Sequence, residues 1–206
     1  MAARQQPVEK AIVSRIFGHG RGWVFTPRHF LDLGPRPAVS SALKRQTDTG
    51  RIRQLARGLY DYPREHPQLG RLAPDTDAVA RALSGRDAVR LQPSGAYAAN
   101  LLGLSEQVPM KVVFLTDGPS RRVRIGRQEI VLRRTTPRNM ATAGRVSGLV
   151  TEALRELGPD LVDQAAVDML RKRLDQSAKR RLLRDLPFAP AWVAAVMRKI
   201  AADVEG

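Results

Sequence analysis

The chain has no cysteine. That excludes a disulfide framework, a thiolate metal site and a thiol nucleophile, and it suits a reducing cytoplasm. Long apolar runs are missing as well: no stretch approaches the roughly eighteen consecutive apolar residues that a spanning helix needs. Residues 1–10 also lack the basic-then-apolar pattern of a signal peptide. The expectation is a cytoplasmic protein that neither spans a membrane nor is exported by that route.

Histidine is scarce. His19, His29 and His66 all lie in the N-terminal third without metal-ligand spacing, so surface or capping roles are expected and no metal site is. Acidic groups are the other shortage. Against 35 Lys and Arg there are only 20 Asp and Glu, which leaves a net charge of +15 over 206 residues. A polyanion is the natural partner of such a chain. The excess is uneven: residues 1–70 carry twelve basic and five acidic groups, 71–140 twelve and six, and 141–206 eleven and nine.

The residue patterns of catalysis are thin. The run Gly18-His19-Gly20-Arg21-Gly22 lacks the Lys-Ser/Thr ending of a phosphate loop and leads into an extended Trp23-Val24-Phe25, so it reads as a helix stop. Asp75 with Asp77, and Asp160 with Asp163, each stand where a helix begins, a position that favours acidic residues through the helix dipole. The clusters Arg171-Lys172-Arg173 and Lys179-Arg180-Arg181 are interleaved with Asp168, Asp175 and Asp185 and read as a solvated, salt-bridged face. The expectation is a protein that is not an enzyme and needs no cofactor.

Apolar periodicity organises the N-terminal third. Val8, Ile12, Val13 and Ile16 predict a first helix, and Thr26-Pro27 reads as N-cap and N1 of a second running to about Leu33. Pro35 and Pro37 lead into a third, on which Val39, Ala42, Leu43 and Gln46 share a face and Gly50 supplies the C-cap. Two short alternating segments, 51–55 and 58–62, joined by Ala56-Arg57, form a hairpin closed by Pro63. Helix, turn, helix and hairpin in that order predict a winged helix-turn-helix domain over residues 1–66.

A Pro-, Gly- and Asp-rich stretch from Pro63 to Asp75 reads as a boundary, with a second domain over 74–206. There the pattern is mixed: a helix over 76–83, strands over 88–91 and 112–115, a helix over 94–102, and a hairpin of 121–125 with 129–133 around Gly126-Arg127. From about residue 144 the periodicity is helical. The predicted class is α+β: an N-terminal winged helix-turn-helix followed by a mixed α/β domain with a helical C-terminal part.

In such a domain the third helix enters the major groove and the hairpin reaches the flanking backbone. With Val39, Ala42 and Leu43 turned inward, Ser41, Lys44, Arg45 and Asp48 face outward and Ser40 lies on the flank. Lys44 and Arg45 are the candidates for base discrimination, because their donors match guanine O6 and N7. Arg51, Arg53 and Arg57 alternate with apolar residues on the hairpin and project toward phosphates, with Tyr60 as a further phosphate donor. Arg28 and Arg36, near the starts of the second and third helices, are expected phosphate clamps.

The segments from Gly22 to Leu31 and from Arg51 to Pro63, taken with Ser94-Gly95-Ala96-Tyr97 through Ser105 and Gln107-Val108-Pro109, resemble the AbiEi-type antitoxins over roughly residues 8–140. The resemblance implies an N-terminal domain that represses its own operon at inverted repeats in double-stranded DNA. It also implies a C-terminal domain that counters a nucleotidyltransferase-like toxin. The helices beyond residue 144 do not match that pattern. Two alternatives stand beside this reading: an orphan winged-helix regulator without a toxin, and an interaction module that binds RNA or protein.

Overall fold

The computed structural model describes residues 5–85 and 89–204, with side chains from Val8 onward in the first helix. The chain is mixed α and β, with eight α-helices and three sheets among the described residues. It divides into two compact units, Met1–Asp87 with Val123–Ile125, and Ala88–Arg122 with Gly126–Gly206. No helix among the described residues is long and apolar enough to cross a membrane.

The first unit opens with α1 (Gln5–His19). It stops where Gly20 and Gly22 take positive φ values of 81° and 96°, a region that side chains rarely adopt. β1 (Val24–Phe25) follows, then a single 3-10 turn (Pro27–Phe30), α2 (Arg36–Asp48), β2 (Arg53–Ala56) and β3 (Leu59–Asp61). The expected second α-helix is therefore shorter and tighter than its cap signal implied. Thr26 does stand at the N-cap, its backbone N–H donating to His29 Nδ1 at 3.1 Å, but after Phe30 buries itself in the core the chain leaves the helical path through exposed Leu31.

On α2 the buried residues are Val39, Ala42, Leu43 and Gln46, the face expected from periodicity. They pack with Ile12, Ile16, Phe25, Phe30 and Ile52 into one core. Trp23, Phe25 and Phe30 form an aromatic cluster there, Phe30 meeting the other two edge to face, with Phe25 and Phe30 centroids 5.4 Å apart at 90°. The sheet is ordered β1-β3-β2 and antiparallel, with Phe25 opposite Tyr60 and Gln54 also opposite Tyr60. A register shift between Gln54 and Ala56 sharpens the hairpin.

The stretch expected to hold the domain boundary is itself folded. β4 (Glu65–His66) and β5 (Gly70–Arg71) pair, and α3 (Thr76–Ser84) packs against β1, which carries the first unit one helix beyond the expected boundary at residues 67–73. Asp75 caps α3 by accepting from the Ala78 N–H at 2.7 Å.

The second unit carries β6 (Leu91–Ser94), α4 (Ala96–Leu101), β7 (Lys111–Thr116) and β9 (Gln128–Arg134), with the first two residues of β8 (Arg121–Ile125). The sheet order is β6-β7-β9-β8, with β6 antiparallel and β9 parallel to β7. The strand expected over 88–91 starts at Leu91 instead and runs to Ser94; Ala88 lies outside the described residues. Pro93 is tolerated because β6 is an edge strand. Ser94 thus belongs to the strand, and the expected helix over 94–102 begins at Ala96, after Gly95 turns the chain at φ 63°.

Four helices complete this unit: α5 (Val146–Leu157), α6 (Gln164–Arg173), α7 (Gln176–Asp185) and α8 (Ala191–Ile200). Val150, Leu154, Leu170, Leu182, Val193, Met197 and Ile200 form its apolar core. Asp163 and Asp175 cap α6 and α7, accepting from Ala166 N–H at 2.8 Å and Ala178 N–H at 2.7 Å. The face expected to be solvated is only partly so. Lys179 is 4% exposed and donates to Asp203 Oδ2 at 2.6 Å, and Asp185 is 3% exposed, taking Arg145 at 2.9 Å and the Ser147 hydroxyl. Interleaved charge reads as a surface in sequence, but these two partners lie in other parts of the fold.

Candidate nucleic-acid interface

The residues expected to contact DNA all fall in the first unit, and the structure sorts them into two groups. Ser40, Ser41 and Lys44 stand exposed on α2, opposite its buried face. Lys44 Nζ lies 2.9 Å from Asp48 Oδ2 one turn on, but the two side chains are 76% and 58% exposed, so releasing that pair costs little. Arg36 opens α2 and Arg28 sits in the 3-10 turn; Arg57 lies at the tip of the β2–β3 hairpin. All three are exposed and have no ion-pair partner among the described residues.

The second group is held by the protein itself. Arg45 turns back to α1, where its Nε donates to Glu9 Oε2 at 2.9 Å, while Gln46 Nε2 donates to Glu9 Oε1 at 2.7 Å. Glu9 therefore bolts α1 to α2. Arg53 does not project from the hairpin: its Nε and terminal nitrogen donate to Asp61 at 3.1 and 2.6 Å, and it also reaches the Leu72 carbonyl at 2.9 Å. Arg51 is exposed yet bonded to Gln46 Oε1 at 3.3 Å. Tyr60 is half-buried, its ring stacked at 6.1 Å on Phe25. The expectation that Arg51, Arg53 and Arg57 project together is corrected, because the buried carboxylate of Asp61 claims the middle one.

The clamp at Glu9 carries a pH dependence. The hydrogen bond from Arg45, helped by Gln46 and working against burial, holds the Glu9 carboxyl below the usual carboxylate range. Its stabilisation is complete above the unfolded-state value of about 4.3 and is lost as pH falls through the lower folded value. Glu9→Gln is expected to lower stability by about 1 kcal/mol at neutral pH. The gap between variant and parent should narrow as pH falls below the usual carboxylate range in urea denaturation, and an equal gap at neutral and acidic pH would count against the clamp.

The β4–β5 hairpin adds cations that the sequence reading passed over. Arg71 donates to the Gly50 carbonyl at 2.7 Å, at the C-terminal end of α2, and Arg64 is exposed at the head of the same hairpin. Arg21 lies over the Tyr62 ring at 4.8 Å and bonds the Pro63 carbonyl at 2.9 Å. None of these strands shows apolar alternation, so no periodicity signal marks them. The histidines hold capping and stacking positions: His29 at Thr26, His66 accepting from Gln68 N–H at 3.2 Å, and His19 stacked on Trp23 at 3.9 Å.

A family comparison covers most of this architecture. The chain belongs to DUF6088, a family of unknown function. The match runs over residues 11–182, from within α1 to within α7, so it takes in both compact units. No curated protein matches the chain.

Proposed function

We propose that this protein is a cytoplasmic, sequence-specific duplex DNA-binding protein, with a winged helix-turn-helix in its N-terminal unit and transcriptional autorepression as its role. The observation that carries the reading is α2, which commits Val39, Ala42, Leu43 and Gln46 to the core and leaves Ser40, Ser41 and Lys44 outward. The hairpin that follows is joined in its sheet by β1, the strand leading into the helix pair, and this supports the wing. Arg28, Arg36 and Arg57 supply cations around that helix that are not spent on internal pairs among the described residues.

The mechanism begins with electrostatic capture of the duplex by the basic surface, which releases counterions and makes affinity salt-dependent. Helix α2 then lies in the major groove, Lys44 reading guanine and the two serines accepting several bases. Arg45 and Arg53 act one step back, holding the reading helix and the wing in place. The resemblance to AbiEi-type antitoxins extends the proposal to inverted repeats in the protein's own promoter and to a nucleotidyltransferase-like toxin countered by the C-terminal unit.

The test is a footprint on the upstream DNA with Lys44→Ala and Ser41→Ala. Loss of protection at one or two base pairs per half-site, with an unchanged circular-dichroism spectrum and melting curve, is expected. Each lost base contact should cost about 1–3 kcal/mol of discrimination. Unchanged protection and unchanged base preference would remove α2 as the reader.

A further inference from the structure

The helix α5 has two characters. One side carries Val150, Ala153 and Leu154 into the apolar core. The rest of its buried surface is polar: Ser147, which is held by Asp185 of α7, Thr151 and Glu152 are buried, and Arg155 follows one turn on. β6 answers with two buried polar residues, Gln92 at 1% and Ser94 at 4% exposure. Ser94 Oγ donates to Glu152 Oε2 at 2.6 Å and Arg155 donates to Oε1 at 3.0 Å. The close approach is built in: a Cβ on Gly148 would sit 2.5 Å from the Thr142 carbonyl and 2.6 Å from Gln92 Oε1.

Two concavities meet at this buried carboxylate. One, of about 380 Å³, is lined by Ser94, Arg133, Thr135 and Glu156; the other, of about 320 Å³, by Arg138, Thr151 and Phe188. Asn139, Glu152 and Arg155 line both. Volumes of this order suit a small ligand. Arg133 and Glu156 on the first and Arg138 on the second have no ion-pair partner among the described residues, so the two concavities, taken together as one cleft about Glu152, offer two uncommitted cations and one uncommitted carboxylate beside fixed hydrogen-bonding groups.

We propose that the cleft of the C-terminal unit binds the ribose-phosphate moiety of a nucleotide. Arg133 and Arg138 take the phosphate, since guanidinium matches its oxygens in geometry and charge. Glu156 accepts from the ribose hydroxyls, the role a carboxylate fills where a vicinal diol is recognised. Asn139 completes the polar wall, and Phe188, 49% exposed, gives the cleft an apolar end for the base. A divalent cation fits less well, because Glu152 is already held by Arg155 and Ser94. The nucleotide is either free or the terminal residue of an RNA strand, and the two share this chemistry.

The experiment is calorimetric titration of the full chain at constant ionic strength with AMP, deoxy-AMP, inorganic phosphate and a 5′-phosphorylated RNA trinucleotide. AMP is expected to bind with a Kd of about 10–100 µM. Inorganic phosphate and deoxy-AMP should bind at least tenfold more weakly. Arg138→Ala and Glu156→Gln, both at exposed positions, should each weaken AMP about tenfold, while Arg36→Ala in the other unit leaves it unchanged. Trinucleotide binding as tight as AMP identifies an RNA end, and AMP binding alone identifies a free nucleotide. Absent AMP and trinucleotide binding, equal binding of inorganic phosphate, or an equal loss in Arg36→Ala would overturn the proposal.

Discussion

Asp61→Ala is expected to cost the N-terminal unit about 3 kcal/mol, the lower end of what breaking a buried ion pair costs. Asp61 is 1% exposed in the central strand of its sheet, and both carboxylate oxygens are taken by Arg53. Without the carboxylate the guanidinium is left partly desolvated, with the Leu72 carbonyl as its remaining partner. The side chain of Arg53 is 27% exposed and can turn toward water, which keeps the loss from being larger. Arg53→Met combined with Asp61→Leu should recover most of the stability, because an apolar pair of similar volume removes the desolvation cost on both sides. Urea denaturation of the three chains decides it. A cost below about 0.5 kcal/mol for Asp61→Ala would mean that the pair is loose and that Arg53 is free to meet phosphate after all.

The second large effect concerns binding. Arg28→Ala, Arg36→Ala and Arg57→Ala together are expected to weaken duplex DNA about a hundredfold, close to 1 kcal/mol for each lost charge-assisted contact. The loss should be the same for any sequence, and the slope of log affinity against log salt should fall by about 0.9 for each contact removed. Arg45→Ala makes the contrast. It loosens α1 from α2 by releasing Glu9 and should lower stability by about 1 kcal/mol while leaving the salt slope alone. Fluorescence anisotropy across a salt series separates the two; a slope reduced equally by Arg45→Ala would place that residue on the phosphate backbone.

The contrast between these arginines shows where sequence reading stops. The buried face of α2 was legible residue by residue, because Val39, Ala42, Leu43 and Gln46 recur at the helical period and that period is local. The partners of the exposed-looking cations were not. Glu9 is thirty-six residues from Arg45, and Asp61 meets Arg53 only because β2 and β3 pair in one particular register. Charge alternation alone predicts projection into solvent, and one buried carboxylate reverses it.

Two further features escaped for different reasons. Glu65, His66, Gly70 and Arg71 are all exposed, so β4 and β5 bury nothing and leave no alternation to read. Around the cleft the signal was present but inverted: Ser147, Thr151, Glu152 and Arg155 repeat at helical spacing, a polar stripe on a helix whose apolar residues drew the reading. The second helix of the N-terminal unit shows the limit of capping signals. Thr26-Pro27 marks a start, but a start does not set a length when the fourth residue, Phe30, is already buried.

The most direct test of specific DNA binding is the affinity of the intact protein for its own upstream duplex and for a scrambled duplex of equal length, across a salt series. A preference of about a hundredfold or more for its own sequence at moderate salt is the expected result. Equal, steeply salt-dependent affinity for both duplexes would contradict it, leaving a basic surface that holds polyanions without reading them.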